Sequence, residues 1–457
     1  MRNDNQISPL MRELSSYIAG ALKRRLPAEV AERAKIHLVD TFAAMISGSR
    51  LLPGKRAIAY VKPLGGTREA GLIGTRFVTT ALHAALANGT CAHADETDDT
   101  HPPTRSHQGA SVIPAALAMA ERQQASGGSL LRALVLGYDI STRILLALDQ
   151  AQLTRRGFHP TSKGGVFGSA AAAAALLKLD AHRIRYVLSY CAEQAAGLTA
   201  IYRDSQHNEK AYVVGGMSSQ NGIAAAQMVA SGFTGVEDVL SGESNFLSVF
   251  SPDADREALV RGLGRKFEVM RVAIKYWPVG GPIQAPLHVL RDLIRQHGIK
   301  ADDVDKLVVR LPDKELKTVD NRDMPDISVQ HLLAVMLIDG KVTFATAHDF
   351  ARMKDPKVLK LRRNRIETIG DARLGDALRS WRCAMEITLK DGRRFSHQTM
   401  AAKGGIENPL TRRDEEEKAL DLIAPILGSK RGQALISTLF DIESIKNVRA
   451  LRRLYVA

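Results

Sequence analysis

The 457-residue sequence predicts a mainly α protein, with a large all-helical domain and a smaller α+β domain. Three observations lead there. From Leu10 to about Leu263 the chain is dominated by Ala/Leu-rich segments with apolar residues at helical spacing, and strand-like alternation is nearly absent. After Phe267 the texture changes, and β-type runs appear between helical ones. The length exceeds what one hydrophobic core usually organises, which favours more than one domain. On this reading the helical domain spans 1–266 and is rejoined by 405–457, and the α+β domain spans 267–404.

In chain order, Leu82–Ala87, Val112–Glu121, Leu130–Leu148 and Gly168–Leu179 read as helices joined by short Gly/Pro/Asp-bearing turns, as in a large bundle. Val304–Leu311 reads as a strand. Cys383–Leu389 reads as a second strand entering a hairpin turn at Asp391-Gly392. Helical segments at Leu287–Gln296 and Val329–Leu337 lie between them, the pattern of an α+β domain. Beyond Asn408-Pro409 the chain turns helical again, with Glu415–Ile423 a charged amphipathic segment that rejoins the helical domain. No internal repeat interrupts this order.

The composition, 45% hydrophobic and 25% charged, is that of a globular protein. No apolar run approaches the roughly 20 residues needed to cross a bilayer, and the longest candidate, Gly164–Leu177, is mostly alanine and stops at Lys178. The first residues carry Asp4 and Glu13 and no apolar core, so no secretory signal is expected and the protein is placed in the cytoplasm. Cys91, Cys191 and Cys383 lie far apart with no C-x-x-C pair, so spacing suggests neither a disulfide framework nor a zinc or iron–sulfur site. Chemistry then falls to ordinary side chains. The net charge of +14 raises the possibility of nucleic acid, but the 63 basic residues are dispersed and aromatics make up only 5%. A basic field also steers anionic metabolites, and a simply basic surface would read the same way.

Two strings could carry chemistry. The first is His93-Ala-Asp-Glu-Thr-Asp-Asp-Thr-His101, followed by Pro102-Pro103 and Ser106-His107-Gln-Gly-Ala. If the preceding helix continues to Thr100, Asp95 and Asp99 share one face and Glu96 and Thr100 the next, while the prolines force an exit. The His/Asp mixture lacks standard metal-ligand spacing. Asp and Thr are equally at home as caps and turn formers, so catalysis and structure both stand. The second string, Arg155-Arg-Gly-Phe-His-Pro-Thr-Ser-Lys-Gly-Gly-Val-Phe-Gly, leads into an alanine-rich helix. Its glycines would form a loop exposing N–H groups to an anion beside His159 and Lys163, or would permit close helix packing. No strand precedes it and the spacing is not G-x-G-x-x-G, which argues against a dinucleotide.

These strings, H-x-x-(D/E)-x-D-D-T with a following His before Gly-Ala, and G-F-H-P-T with G-V-F-G, resemble the paired signature of the MmgE/PrpD family. That family includes 2-methylcitrate dehydratases, cis-aconitate decarboxylases and iminodisuccinate epimerases. The resemblance continues in order through Asp204–Met217 with Glu209-Lys210, Ile274–Leu287 with Lys275, Asp320–Leu333, Leu337-Ile-Asp-Gly340 and Asn408-Pro-Leu-Thr411, covering nearly the whole chain. It implies a helical domain, an α+β lid domain, a homodimer and no cofactor or metal. It also places Glu96, Thr100, His107, His159, Lys210 and Lys275 in an active-site cleft, with His331 at an aromatic position. The sequence departs from the family at Glu96, usually aspartate, at Gln108, usually proline, and at Val279-Gly280 and Gln284, where cysteines and a histidine are frequent.

The resulting expectation is a cofactor-independent lyase acting on a small di- or tricarboxylate, of the 2-methylcitrate dehydratase type, with decarboxylation or epimerisation as alternatives from the same parts. His107 and His159 would move protons. Lys210 and Lys275 would hold carboxylates and stabilise charge, helped by Lys163. Glu96 and Thr100 would position the substrate, with His331 also lining the site. The expected partner is a small anionic carboxylate rather than nucleic acid or membrane. A nucleic-acid-binding helical protein, which would show steep salt dependence, is the rival from another class. A non-catalytic anion binder is a third reading.

Overall fold

A computed structural model describes residues 7–375 and 381–457. The chain divides into two compact units, one of residues 1–94, 98–272 and 422–457, the other of residues 95–97 and 273–421. The sequence reading had put the main divisions near 266 and 404. The unexpected feature is the excursion at 95–97, where three residues inside the first string belong to the second unit. Among the described residues no helix is long and apolar enough to cross a membrane.

The first unit is helical, as the Ala/Leu periodicity predicts. Its main helices are α1 (Ala28–Gly48), α2 (Ala81–Ala92), α3 (Gln108–Arg122), α4 (Gly127–Ala147), α5 (Pro160–Leu176), α6 (Ala181–Glu193) and α7 (Met217–Ala230). Local chemistry sets their starts. Thr80 caps α2 by accepting from the His83 N–H, Ser126 caps α4 by accepting from Ser129, and Pro160 occupies the first turn of α5 with His159 at its N-cap. Every residue of α5 is buried. A helix that is apolar all round belongs in the centre of a bundle, and α5 packs against α3, α4, α6 and α7.

Small residues make that crowding possible. A Cβ on Gly168 would lie 2.4 Å from the Gly137 carbonyl oxygen, and one on Gly164 would lie 2.6 Å from that of Ser141. Gly164, Gly165 and Gly168 of the second string are therefore helical packing residues. The expectation of a glycine loop cradling an anion is corrected, because Pro160 starts the helix before Gly164, Gly165 and Gly168, and Gly157 alone lies ahead of it. A two-residue antiparallel pair, β1 (Ala70–Gly71) with β2 (Val78–Thr79), is the unit's departure from all-helical, too short to leave an alternating signal.

The second unit is built on a four-stranded sheet in the order β4-β3-β5-β6, from β3 (Val304–Leu311), β4 (Ile366–Gly370), β5 (Cys383–Leu389) and β6 (Arg394–Thr399). β3 and β4 are parallel, and the other pairs are antiparallel. Val304, Leu307, Val309 and Leu311 of β3 and Cys383, Met385, Ile387 and Leu389 of β5 are buried in one core with α8 (Gln284–His297) and α9 (Val329–Asp339). β4 was not read from the sequence, since only Ile366 of this edge strand is buried.

Gly168→Ala should destabilise the protein by about 1–3 kcal/mol through overpacking against a backbone carbonyl. The readout is the urea midpoint at unchanged m-value. An unchanged midpoint would mean that α4 and α5 separate at no cost.

Candidate functional site

Helix α2 ends at Ala92, so the condition of a helix continuing to Thr100 is not met and the shared faces it would give do not form. Side chains compete with the helical ladder here. Asp95 Oδ1 accepts from the Thr97 N–H at 3.0 Å, and Asp98 Oδ2 lies 2.9 Å from Nδ1 of His93, the residue just past the helix. The chain then forms a bridge between His101 and Ser106, with a short 3-10 turn at Pro102–Thr104. Thr100 Oγ1 donates weakly to the Ser106 carbonyl at 3.4 Å. His107 follows as the residue before α3.

The two adjacent aspartates serve different partners. Asp99 points inward, where Oδ2 accepts from Tyr138 at 2.6 Å and meets His37 Nδ1 at 2.8 Å, while Oδ1 accepts from the Gly109 N–H at 2.9 Å. Asp98 Oδ2 lies between His93 Nδ1 and His107 Nδ1, the latter at 3.2 Å. The Asp99 carbonyl also accepts from His107 Nδ1 at 2.9 Å. The His107 backbone N–H donates to Thr161 Oγ1 at 3.1 Å, which joins the first string to the second.

Around this pair the first unit gathers further imidazoles and ammonium groups. The His93 ring lies 4.7 Å from His107 and 5.4 Å from His207. His159, buried at the N-cap of α5, stands 5.7 Å from the Tyr202 ring, and the Lys210 ammonium lies 5.8 Å from that same ring. Burial, followed by the positive charges of His107, Lys210, His93 and Lys163, holds His159 well below the ordinary histidine range. Burial likewise lowers His93, against the opposing pull of Asp98. Lys210 lies in the short helical turn Asn208–Ala211, which runs into a π-helical turn, Tyr212–Gly216, that leads into α7, a type of irregularity frequent at functional sites.

Lys163 lies one turn beyond His159 and is buried. Its ammonium sits 4.2 Å from the Phe158 ring centroid and 5.0 Å from that of Phe250, and burial, then Arg156, lowers it to about 8. It contributes a desolvated charge to its surroundings. His101, by contrast, is turned to Thr104 at 2.8 Å, and burial and Arg271 push it down to about 3. His93, Asp98 and His107 bring ligand-type atoms within 4.8 Å of one another. Asp98 Oδ2 stands 2.9 Å from one Nδ1 and 3.2 Å from the other, so one carboxylate oxygen serves both imidazoles.

In the second unit, Lys275 Nζ lies 3.7 Å from Glu96 Oε2, and both residues are buried. Each residue of the 95–97 excursion has a cationic partner there. His348 Nε2 meets Asp95 Oδ2 at 3.0 Å, and Lys418 Nζ donates to the Thr97 carbonyl at 3.0 Å. Burial opposes the charge on His348, but the hydrogen bond to Asp95 and the charges of Asp95 and Asp326 outweigh it and push His348 up to about 9. Burial, aided by Glu96 and Asp95, raises Asp326 to about 6. His331 lies in the core on α9, lowered to about 4 by burial and then by Arg362 and Arg352. None of the charges acting on it belongs to the Glu96 group. Gln284, one of the departing positions, spends its amide on the backbone of Trp277 and Val279 at 3.0–3.1 Å.

The structure thus brings His107, His159 and Lys210 together in the first unit, and Glu96 with Lys275 in the second. Sequence reasoning did not single out His93, Asp98, His207 and Tyr202 in the first unit, or Asp326, His348 and Lys418 in the second. His93 opens the first string and was in view, but its partner Asp98 marks it only in three dimensions.

Two family profiles match the chain in order, the MmgE/PrpD N-terminal domain over residues 12–259 and the MmgE/PrpD C-terminal domain over residues 277–441. Cis-aconitate decarboxylase of Homo sapiens is 25% identical over 470 residues, covering 98% of this chain and 95% of the relative. The cis-aconitate decarboxylase of Mus musculus is 24% identical, over 98% and 93%. That of Aspergillus terreus is 24% identical, over 96% and 94%. With both domain profiles matched over most of its length, the chain belongs to the MmgE/PrpD family and is an enzyme of the lyase class.

Proposed function

We propose that the chain is a cofactor-independent lyase acting on a small di- or tricarboxylate, with decarboxylation of cis-aconitate the first reaction to test. The observation that carries this is the group in the first unit, where His93, His107 and His159 share a small volume with Asp98 and with the charge of Lys210. Imidazoles exchange protons near neutral pH, and an ammonium group holds a carboxylate. The names and near-complete coverage of the human, mouse and fungal relatives support this substrate.

Loss of carbon dioxide leaves its bonding pair on carbon, and one proton delivered to the conjugated carbanion completes the product. We assign that delivery to His159 and His107, and carboxylate binding to Lys210. In the second unit Lys275 is assigned to carboxylate binding with Glu96 as its counter-charge, and Thr100 keeps a positioning role. The surplus positive charge around His159 has a consequence for the proton donor. A bound polyanion offsets the lysines that depress it, so substrate binding raises its proton affinity. Dehydration of a 2-methylcitrate-like hydroxy acid is the second reading. It is favoured by the presence of two imidazoles, one able to take a proton and the other to give one to the departing hydroxyl.

Chelator-treated protein incubated with cis-aconitate, 2-methylcitrate, citrate and a chiral amino-dicarboxylate, followed by NMR, should convert cis-aconitate to itaconate. An alkene formed from 2-methylcitrate instead would move the reaction to dehydration, and no product from any of them would remove the proposal. His159→Ala should lower kcat by about 10²–10⁴-fold with an unchanged circular dichroism spectrum. Full activity in that variant would exclude His159 from proton transfer. The excursion bearing Glu96 has its own pH signature. His348 has a folded-state pKa of about 9, above the unfolded value of about 6.5, so its stabilising effect is complete below about 6.5 and is lost as pH rises to about 9. The stability difference between the parent protein and His348→Gln should therefore be largest near pH 6 and shrink towards pH 9. A difference independent of pH would mean that His348 is not held charged.

A further inference from the structure

Two imidazoles, His93 and His107, direct the same ring nitrogen at one carboxylate oxygen. Nδ1 of His93 is 2.9 Å from Asp98 Oδ2, and Nδ1 of His107 is 3.2 Å from the same atom. His107 Nδ1 also lies 2.9 Å from the Asp99 carbonyl oxygen. A backbone carbonyl can only accept, so the His107 proton resides on Nδ1 in the neutral ring. We propose that His93, Asp98 and His107 act as one unit in which the Asp99 carbonyl, as hydrogen-bond acceptor, and the Asp98 carboxylate, as a negative charge 3.2 Å from the same nitrogen, hold His107 in its Nδ1–H form, leaving Nε2 as the proton-transfer atom, with His93 the positioning residue that fixes Asp98. This rests on the reading of His107 as a proton-transfer group.

The surroundings are built for such a unit. His93 is fully buried at the end of α2 and cannot swing away, and among the described residues its side-chain hydrogen bond is to Asp98. Burial favours its neutral form, whose single ring proton then sits on Nδ1 facing the carboxylate. The Asp99 carbonyl is placed by that residue's own side chain, which is held by Tyr138, His37 and the Gly109 N–H. The His107 backbone is tied to Thr161. The ring of His107 is therefore fixed at its backbone and at Nδ1 by groups that do not themselves react. A carboxylate that orients an imidazole in this way governs its tautomer, and losing it in a Ser-His-Asp triad costs about 10⁴-fold in kcat although the geometry stays intact.

The test uses full-length protein with 15N-labelled histidine and three variants. In the parent protein the imidazole 15N shifts should report His107 protonated at Nδ1. Asp98→Asn should lower kcat by about 10²–10⁴-fold with KM changed by less than about threefold. His93→Leu removes the donor to Asp98 and should lower kcat by about 10–100-fold. His93→Asn places an amide N–H where Nδ1 was and should retain kcat within about fivefold of the parent. If His93→Asn is as damaging as His93→Leu, His93 acts through Nε2 and the positioning role is overturned. If His107 carries its proton on Nε2 in the parent, the whole unit is overturned. The 15N result does not depend on turnover. The expected tautomers with no activity on any acid would leave the unit standing and remove the lyase reading. Normal turnover with the wrong tautomer would do the reverse.

Discussion

Burying a carboxylate costs several kcal/mol unless donors meet it, and the chain from His93 to His107 buries two in succession, Asp98 and Asp99. Asp99 is met from three directions, by a phenol, an imidazole and a backbone N–H, on α4, α1 and α3. Once those bonds are made, the backbone at Asp99 cannot rotate without stranding a charge in the core. The next residue back must then turn its side chain the other way, towards His93 and His107. The separate allegiances of the two aspartates thus follow from one requirement, that no buried carboxylate lacks donors. They also explain why α2 stops at Ala92 despite good helix formers before it. The ladder bonds lost there, worth about 1 kcal/mol each, are outweighed by bonds to charged groups at about 1.5–3 kcal/mol.

Close packing supplies the second half of the arrangement. α5 carries His159 and Thr161 at its start and is buried along its whole length, so its axial position is set by contacts such as that between Gly168 and the Gly137 carbonyl. The His107 N–H to Thr161 bond links the loop of the first string to the beginning of this helix. Rigid elements on both sides hold the imidazoles, which is what proton transfer over short distances demands.

Much of the fold was legible because its helices and central strands are long and one-sided. β3 and β5 alternate over seven or eight residues, and α2 to α5 carry unbroken Ala/Leu patterns. What stayed hidden was decided by contacts distant in sequence. Asp95, Glu96 and Thr97 look like a continuation of α2 until His348, Lys275 and Lys418, roughly 180–320 residues away, are seen beside them. The glycines after His159 satisfied a loop pattern and a packing pattern equally, and only the carbonyls opposite them decide. Gln284 stood out as a departure, and its role proves to be local, closing the backbone turn at Trp277–Val279.

The electrostatics give the proposed chemistry its selectivity. The imidazoles of His93 and His159 are disfavoured from taking a proton by burial and by neighbouring positive charges, while Lys163 is itself lowered to about 8. A monocarboxylate offsets one of those charges. A di- or tricarboxylate offsets more of them and so raises the proton affinity of His159 further. Anionic charge remote from the reacting carbon then acts on the chemical step as well as on binding, because it sets whether the acid is loaded. Binding energy used in this way appears in kcat, which is where differential stabilisation of a transition state is expressed. A basic site without buried imidazoles would bind the same anions and would gain no such discrimination.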